Sequence, residues 1–297
     1  MNSETRSRFQ QDYIDLHAVL STSEEKLDFV FPGLLAETVG VLLSPGGTGK
    51  SILALELATT IAAGRDAWGL AGADPTQGSV IFLSLEDPQI VLRERVRALE
   101  ASRPGMIREA QDRLRIRTCH GTGFELATWE ERRLRASEHC ELLKRELGAL
   151  DRPRLLVIDT LNRALAGLPE NDNSVLSKVI SQIEQLISGT GAAALVLHHT
   201  SKSAAREGQS DTAHSARGAG AISDNARFVM NLKPLRPATA APACEPTEHV
   251  RLIVSKCNYA AHPPELLLCR SRTGVLEATR LAAVPAPRSI RRRASPR

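Results

Sequence analysis

The stretch that decides the fold is Ser44-Pro45-Gly46-Gly47-Thr48-Gly49-Lys50-Ser51. Residues 38–43 before it are mostly apolar and predict a buried strand, and residues 51–63 after it predict an apolar helix ending at Gly64. The spacing matches the phosphate-loop pattern G-x-x-x-x-G-K-[ST], with Ser44 in place of the first glycine. In such a loop, backbone N–H groups surround a β-phosphate and the N-terminus of the helix faces it. The sequence therefore predicts a nucleotide site.

Each position of this loop has an expected task in binding ATP and Mg²⁺. Lys50 is expected to neutralise the β- and γ-phosphates, and the Ser51 hydroxyl to ligate Mg²⁺. The remaining nucleotide-binding positions are Pro45, Gly46, Gly47, Thr48 and Gly49. The alternative interpretation is a glycine-rich turn between a strand and a helix that holds no ligand.

The rest of the chain predicts an α/β fold with a mostly parallel sheet covered by helices on both faces, because short apolar strands alternate with helices. Further parallel strands are predicted at 79–84, 154–158 and 193–197. Helices are predicted at 92–99 and 126–147, and in a segment that Asn173 caps. Antiparallel strands that extend the sheet are expected at 227–232, 249–255, 265–269 and 275–278.

The composition excludes several classes of protein. With 297 residues and 42% hydrophobic residues, the chain can bury a core, so wholesale disorder is excluded. No apolar run approaches the roughly 20 residues that cross a bilayer, and residues 1–6 lack the apolar stretch of a signal peptide, so a cytoplasmic protein without membrane contact is expected. The five cysteines have no C-x-x-C spacing, which predicts free thiols rather than a zinc site or disulfides.

The positive charge is concentrated at one end of the chain. The net charge is +4, and residues 278–297 carry six arginines and no acidic residue, which leaves −2 on the other 277 residues, since 4 minus 6 is −2. Binding to a polyanion must therefore be local. We expect an N-terminal arm at 1–28, an ATPase domain at 29–278 and a basic, disordered tail at 279–297.

Two acidic positions follow predicted strands and would face the phosphate loop. Asp159 ends the apolar run at 155–158, where a carboxylate can hold Mg²⁺ through water. Glu86 follows the strand at 79–84 and could deprotonate the attacking water. Asp87 is the rival for that task. We favour Glu86 as the base and Asp87 as the cap of a helix that starts at Pro88.

The strand at 193–197 ends in His198 and His199, either of which could contact the γ-phosphate. A third metal ligand is absent nearby in the sequence, which disfavours metal binding. The following segment to Gly218 is rich in Ser, Ala and Gly and contains basic residues. We expect it to form a nucleic-acid loop rather than a merely solvated one, with contacts from Lys202, Arg206 and Arg217.

Six segments in this order together resemble one group of motor proteins. They lie at 45–51, 86–88, 157–160, 197–199, 217–227 and 255–259. This set is similar to the RepA-type hexameric replicative helicases of broad-host-range plasmids and, more widely, to the RecA/DnaB group of ring-forming ATPases. The resemblance covers about residues 28–278.

The resemblance implies a RecA-like core and a ring of six copies with ATP at each interface. Single-stranded DNA would thread the ring and contact residues 162–174 and 200–218, and a replication initiator or a primase would be a partner. His199, ahead of His198, would sense the γ-phosphate. Arg227 would be an arginine finger that reaches the neighbour's nucleotide, and Lys256 a second cation acting in trans. DnaB-like relatives have an arginine two places after that lysine, where this chain has Asn258.

Two other functions remain open from the sequence. One is a RecA-like ATPase, in recombination or regulation, that DNA stimulates but that does not unwind a duplex. The other is a non-motor module whose assembly ATP switches. The complete set of catalytic residue types favours the helicase over the module.

Overall fold

The computed structural model describes residues 13–23, 26–130, 133–165, 167–168, 172–200, 219–235 and 249–279. The helices are α1 Leu16–Ser21, α2 Lys50–Ala63, α3 Gln89–Ser102, α4 Met106–Ala110, α5 Glu138–Gly148, α6 Leu161–Ala164, α7 Asn173–Ile187 and α8 Ala219–Asn225. The strands are β1 Phe29–Phe31, β2 Leu34–Leu35, β3 Val39–Ser44, β4 Ser79–Ser84, β5 Leu114–Thr118, β6 Ala127–Glu130, β7 Arg133–Ala136, β8 Pro153–Asp159, β9 Ala193–His199, β10 Phe228–Pro234, β11 His249–Cys257, β12 Leu266–Arg270 and β13 Leu276–Thr279.

In the described part of the chain, the main sheet has nine strands in the order β13-β12-β11-β10-β3-β9-β8-β4-β5. The strands from β10 to β5 are parallel to their neighbours, and β11, β12 and β13 are added antiparallel. The expected α/β class, a mostly parallel sheet with an antiparallel C-terminal extension, is confirmed. One strand was misassigned: β10, expected to be antiparallel, runs parallel to β3 with Phe228 opposite Gly40. Helix α8 lies between β9 and β10 in the chain, and such a crossover joins parallel strands.

Both faces of the parallel sheet are buried, which explains the unbroken apolar strands. Along β8, Leu155 and Val157 pack with the cluster that contains α2, whereas Leu156 and Ile158 pack with the cluster that contains α7. Successive side chains of a strand point to opposite faces, so an apolar residue is needed at every position when helices cover both.

The predicted helix at 126–147 is wrong in its first half. Strands β6 and β7 pair as an antiparallel hairpin there, and only α5 is helical. Ser137 sets the boundary, because its hydroxyl accepts a hydrogen bond from the Cys140 N–H at 3.0 Å and so caps α5. Helix α7 is likewise capped one residue earlier than expected, by the Asp172 carboxylate, which accepts a hydrogen bond from the Ser174 N–H at 2.8 Å.

The N-terminal segment is helical at α1, where no residue is buried. Asp28, at the expected end of the arm, contacts the main sheet, because Arg154 Nη2 of β8 donates a hydrogen bond to its carboxylate at 2.8 Å. The tail from residue 280 lies outside the described residues. None of the described helices is both long and apolar enough to span a membrane. Four cysteines are free thiols, as expected: Cys119, Cys140, Cys257 and Cys269.

Candidate nucleotide site

The predicted site residues of the core meet at one edge of the sheet. The carboxyl ends of parallel strands share an edge, and here Ser44 of β3 lies opposite His199 of β9, while Ser84 of β4 lies opposite Asp159 of β8. The phosphate loop leaves this edge directly after Ser44. It borders a cavity of about 370 Å³ lined by Gly47, Gly49, Lys50, Ser51, Ile52, Glu86, Asp87, Arg95, His199, Arg270, Thr273 and Gly274.

The backbone of the phosphate loop requires glycine at two positions. Gly47 has φ +77° and Gly49 has φ +101°, both in the left-handed region that other residues rarely adopt. A Cβ on Gly49 would also lie 3.0 Å from Arg270 Nη2. The Thr48 hydroxyl donates a hydrogen bond to the Pro45 carbonyl at 3.0 Å, which closes the turn.

Lys50 begins α2 and is only 6% exposed. Its Nζ lies 3.0 Å from His199 Nε2, and both residues line the cavity. Burial lowers the pKa of Lys50, while the nearby carboxylates of Asp159 and Glu86 partly offset this effect. A cation that has lost water on entering this site is attracted more strongly to a phosphate than one in solvent.

Asp159 is a buried carboxylate whose oxygen atoms accept no hydrogen bond of normal geometry. The residue is 1% exposed. Burial raises its pKa to about 6, although the adjacent Ser51 hydroxyl and Lys50 act in the opposite direction. A hydroxyl beside a carboxylate with unused lone pairs is an oxygen donor set of the kind that Mg²⁺ uses in such sites. These two residues therefore fit the ion that the loop implies.

Glu86 follows β4 and stays ionised. Its Oε1 accepts a hydrogen bond from Thr160 Oγ1 at 2.7 Å and lies 3.8 Å from His199 Nε2. The pKa of Glu86 is lowered to about 2, first by the interaction with His199 and then by the Thr160 hydroxyl and the charge of Lys50. Burial acts in the opposite direction. Its carboxylate is thus held in a defined direction at the cavity wall.

Asp87 does not cap a helix, so that interpretation is wrong. Helix α3 has Pro88 at its N-cap without any side-chain hydrogen bond. The Asp87 carboxylate instead forms an ion pair with Arg95 of α3, with Nη1 at 2.6 Å. This ion pair occupies Asp87, whereas Glu86 faces His199 and Lys50, which is the geometry expected of the base candidate.

The two histidines of β9 have different surroundings. His198 is 6% exposed, and burial, helped by His199 and Lys50, lowers its pKa to about 4, so it is neutral. His199 reaches the cavity and lies between Lys50 and Glu86. The geometry favours His199 as the residue that meets a γ-phosphate. In the described part of the chain, no three of His, Cys, Asp and Glu are grouped as a metal site.

Arg227 and Lys256 lie together, away from this cavity. The Arg227 N–H donates to the Val39 carbonyl at 3.2 Å, at the start of β3, whereas the phosphate loop follows the end of β3. Lys256 Nζ donates to the carbonyls of Ser223 and Asp224 at 3.0 and 2.8 Å. Burial and, next, the charge of Arg227 lower the pKa of Lys256. Neither side chain lines the cavity of its own chain.

Among the residues that sequence reasoning missed, three make polar contacts with predicted site residues. They are Thr160, Arg95 and Arg270. Thr160 directly follows Asp159 and could have been found from that position; Arg95 and Arg270 come from a helix and an added strand whose sequence carries no site pattern. The expected nucleic-acid contacts Lys202, Arg206 and Arg217 lie outside the described residues.

Asp159→Asn is expected to stabilise the protein near neutral pH while removing the ligand for Mg²⁺. The folded-state pKa of about 6 exceeds the ordinary value of 3.8, so the native state binds the extra proton and stability falls as pH rises through this window. Removing the charge should recover up to about 3 kcal/mol. Thermal unfolding of both proteins should show the variant more stable near neutral pH, and the difference should close as the pH falls from about 6 to about 4.

The exposed Asp151 provides the matched control as Asp151→Asn, which should leave unfolding unchanged. A lower unfolding temperature for Asp159→Asn near neutral pH would contradict a destabilising carboxylate.

Comparison with known proteins agrees with this architecture. A family model described as an AAA domain, AAA_25, matches residues 3–205. The solved structure described as the ATPase domain of G40P aligns with a TM-score of 0.59 at 12% sequence identity. The alignment covers 93% of this chain and 99% of that one. At this identity the likeness concerns the fold, which is that of RecA-like ATPases.

Proposed function

Since the chain belongs to the AAA domain family of ATPases and has a RecA-like fold, we propose that it is a ring-forming DNA helicase. It would move along single-stranded DNA by hydrolysing ATP, in replication of a plasmid or phage type, as the RepA-type resemblance suggests. A hexamer in the cytoplasm, with a replication initiator or primase as partner, completes the proposal.

The observation that carries the proposal is the separation of Arg227 and Lys256 from the phosphate loop. Arg227 lies beside Val39, and Ser44 comes five positions later along β3, which at about 3.3 Å per residue is about 17 Å. Both cations lie at the end of the sheet opposite their own nucleotide cavity. This placement supports a role at a neighbour's cavity, which requires an assembly of several copies.

The residues of the cavity supply the parts of ATP hydrolysis. Ser51 and Asp159 would hold Mg²⁺, which when bound neutralises charge on the phosphate oxygens. Glu86, ionised and oriented by Thr160, would accept the proton of the attacking water. Lys50 would stabilise charge on the β- and γ-phosphates, and His199, in contact with Lys50 and Glu86, would respond to loss of the γ-phosphate.

The proposal is tested by unwinding of a forked duplex combined with mass measurement of the assembly formed with ATP. We expect strand separation by a six-copy assembly. The matched control is Glu86→Gln, which should bind ATP and assemble but neither hydrolyse nor unwind. Hydrolysis that DNA stimulates without any strand separation would indicate a non-unwinding ATPase and contradict the helicase. Assembly without hydrolysis would indicate an ATP-switched module.

Single-stranded DNA is expected to stimulate hydrolysis, and its binding should weaken as salt rises, because phosphate contacts release counterions. The basic residues Lys202, Arg206 and Arg217 motivate this expectation. Deleting the tail from Pro285 should weaken nonspecific binding and leave the stimulated rate largely unchanged. Loss of stimulation on deletion would assign the DNA site to the tail instead.

A further inference from the structure

Arg270 contacts the backbone of the phosphate loop of its own chain. It is the last residue of β12, and its Nη2 donates hydrogen bonds to the carbonyls of Thr48 and, at 3.4 Å, Gly47. Arg270 also borders the nucleotide cavity, together with Thr273 and Gly274 of the turn that follows β12.

The hairpin that carries Arg270 is fixed to the body by several independent contacts. Opposite Arg270 in the β12–β13 register lies Leu276, whose N–H donates to the buried Glu56 carboxylate of α2 at 2.7 Å. Next to it, Glu277 accepts hydrogen bonds from Arg103 Nη2 at 2.9 Å and Ser102 Oγ at 3.0 Å. The guanidinium therefore extends from a rigid support.

The contact has a direct effect on the peptide groups of the loop. In a trans peptide the C=O and the N–H of the same unit point in opposite directions. The carbonyl of Gly47 shares its unit with the N–H of Thr48, and the carbonyl of Thr48 shares its unit with the N–H of Gly49. Because Arg270 holds both carbonyls on its own side, both N–H groups are turned to the opposite side of the loop, which is the side on which a β-phosphate would have to lie to accept from them.

We propose that Arg270 is a positioning residue that orients the phosphate-loop N–H groups of Thr48 and Gly49 for the β-phosphate of a nucleoside di- or triphosphate. Gly49 fits this arrangement, because a Cβ there would meet both Arg270 Nη2 at 3.0 Å and Leu276 Cδ1 at 3.3 Å. The extension of the sheet thus contributes to nucleotide affinity. This inference rests on the nucleotide site within the proposed function and not on unwinding or ring formation.

The test is titration of the full chain with fluorescent ATP and ADP analogues, with Mg²⁺ present. Arg270→Ala should weaken both nucleotides by about tenfold and by the same factor, because both carry a β-phosphate and only one carries a γ-phosphate. In steady-state hydrolysis the variant should show a raised KM with kcat changed far less, as expected when ground-state and transition-state binding are lost equally. Arg270→Lys should recover part of the affinity, since an ammonium can reach one carbonyl but cannot span both as a guanidinium does.

The matched control is Arg272→Ala, an exposed arginine of the same turn that does not line the cavity. It should bind both nucleotides as the parent does. Thermal unfolding of each variant checks folding, and Arg270→Lys keeps the test informative if Arg270→Ala does not fold. Parental affinity for ADP in a folded Arg270→Ala protein, or loss of ATP binding alone, would overturn the inference. Absence of nucleotide binding by the parent chain would instead refute the nucleotide site itself.

Discussion

Replacing Lys50 with alanine is expected to abolish ATP hydrolysis, with a fall of about 10²–10³-fold or more. Lys50 lines the nucleotide cavity, and the partial dehydration of its ammonium group strengthens its attraction to the transferred phosphoryl group. The fold should persist, because the apolar residues that anchor α2, from Ile52 onward, are untouched. Phosphate release from purified protein and thermal unfolding measure the two effects separately.

Lys144→Ala is the control, since this exposed lysine of α5 lies on another element and does not line the cavity. It should hydrolyse ATP at the parental rate. Parental turnover by a folded Lys50→Ala protein would refute the assignment of the phosphate loop.

Arg227→Ala is expected to bind ATP almost normally and to hydrolyse it about 10³–10⁵-fold more slowly, the contribution typical of an arginine finger. Its position at the start of β3, away from the cavity of its own chain, explains why binding should survive. The charge would instead act on the γ-phosphate held by a neighbouring copy. Nucleotide titration and single-turnover hydrolysis separate binding from chemistry. The control is Arg251→Ala, at a half-buried arginine of β11 that pairs with Glu265 and does not line the cavity.

Mixing the Arg227→Ala and Lys50→Ala proteins tests the action in trans. At random mixing, about one interface in four joins an intact Lys50 to an intact Arg227 from the adjacent copy. The mixture should therefore hydrolyse ATP faster than the sum of its components. If it does not, and exchange of subunits between assemblies is demonstrated, Arg227 does not act across an interface.

The parallel core was predictable because its determinants are local. Each determinant is a short continuous stretch of sequence: the apolar run before Ser44, the glycines of the loop, and the apolar strand that ends in Asp159. Parallel strands bring their carboxyl ends to one edge of the sheet wherever they lie in the sequence. The convergence of Lys50, Glu86, Asp159 and His199 follows from that geometry alone. The structure adds two facts that the sequence pattern does not give. The buried Asp159 carboxylate accepts no hydrogen bond of normal geometry, and Thr160 orients Glu86.

The features that sequence reasoning missed depend on tertiary partners. The charged segment before α5 has a composition compatible with a helix, yet β6 and β7 pair there and Ser137 starts the helix later. Asp87 precedes a proline, as a cap would, but Arg95 competes for its carboxylate. Arg270 reaches the phosphate loop across more than 200 residues of sequence, and no spacing rule connects the two.

The position of Arg227 and the phosphate loop at opposite ends of β3 gives every copy a donor end and an acceptor end. On the proposal that the arginine acts across an interface, copies associate head to tail, and a complete site belongs to a junction between two of them. A single copy then has no complete site. An open row of copies has one complete site fewer than it has copies, and only a closed ring has as many complete sites as copies. The rate of ATP hydrolysis per chain should rise with protein concentration and level off when the ring closes. Dilution should therefore stop hydrolysis without unfolding the protein.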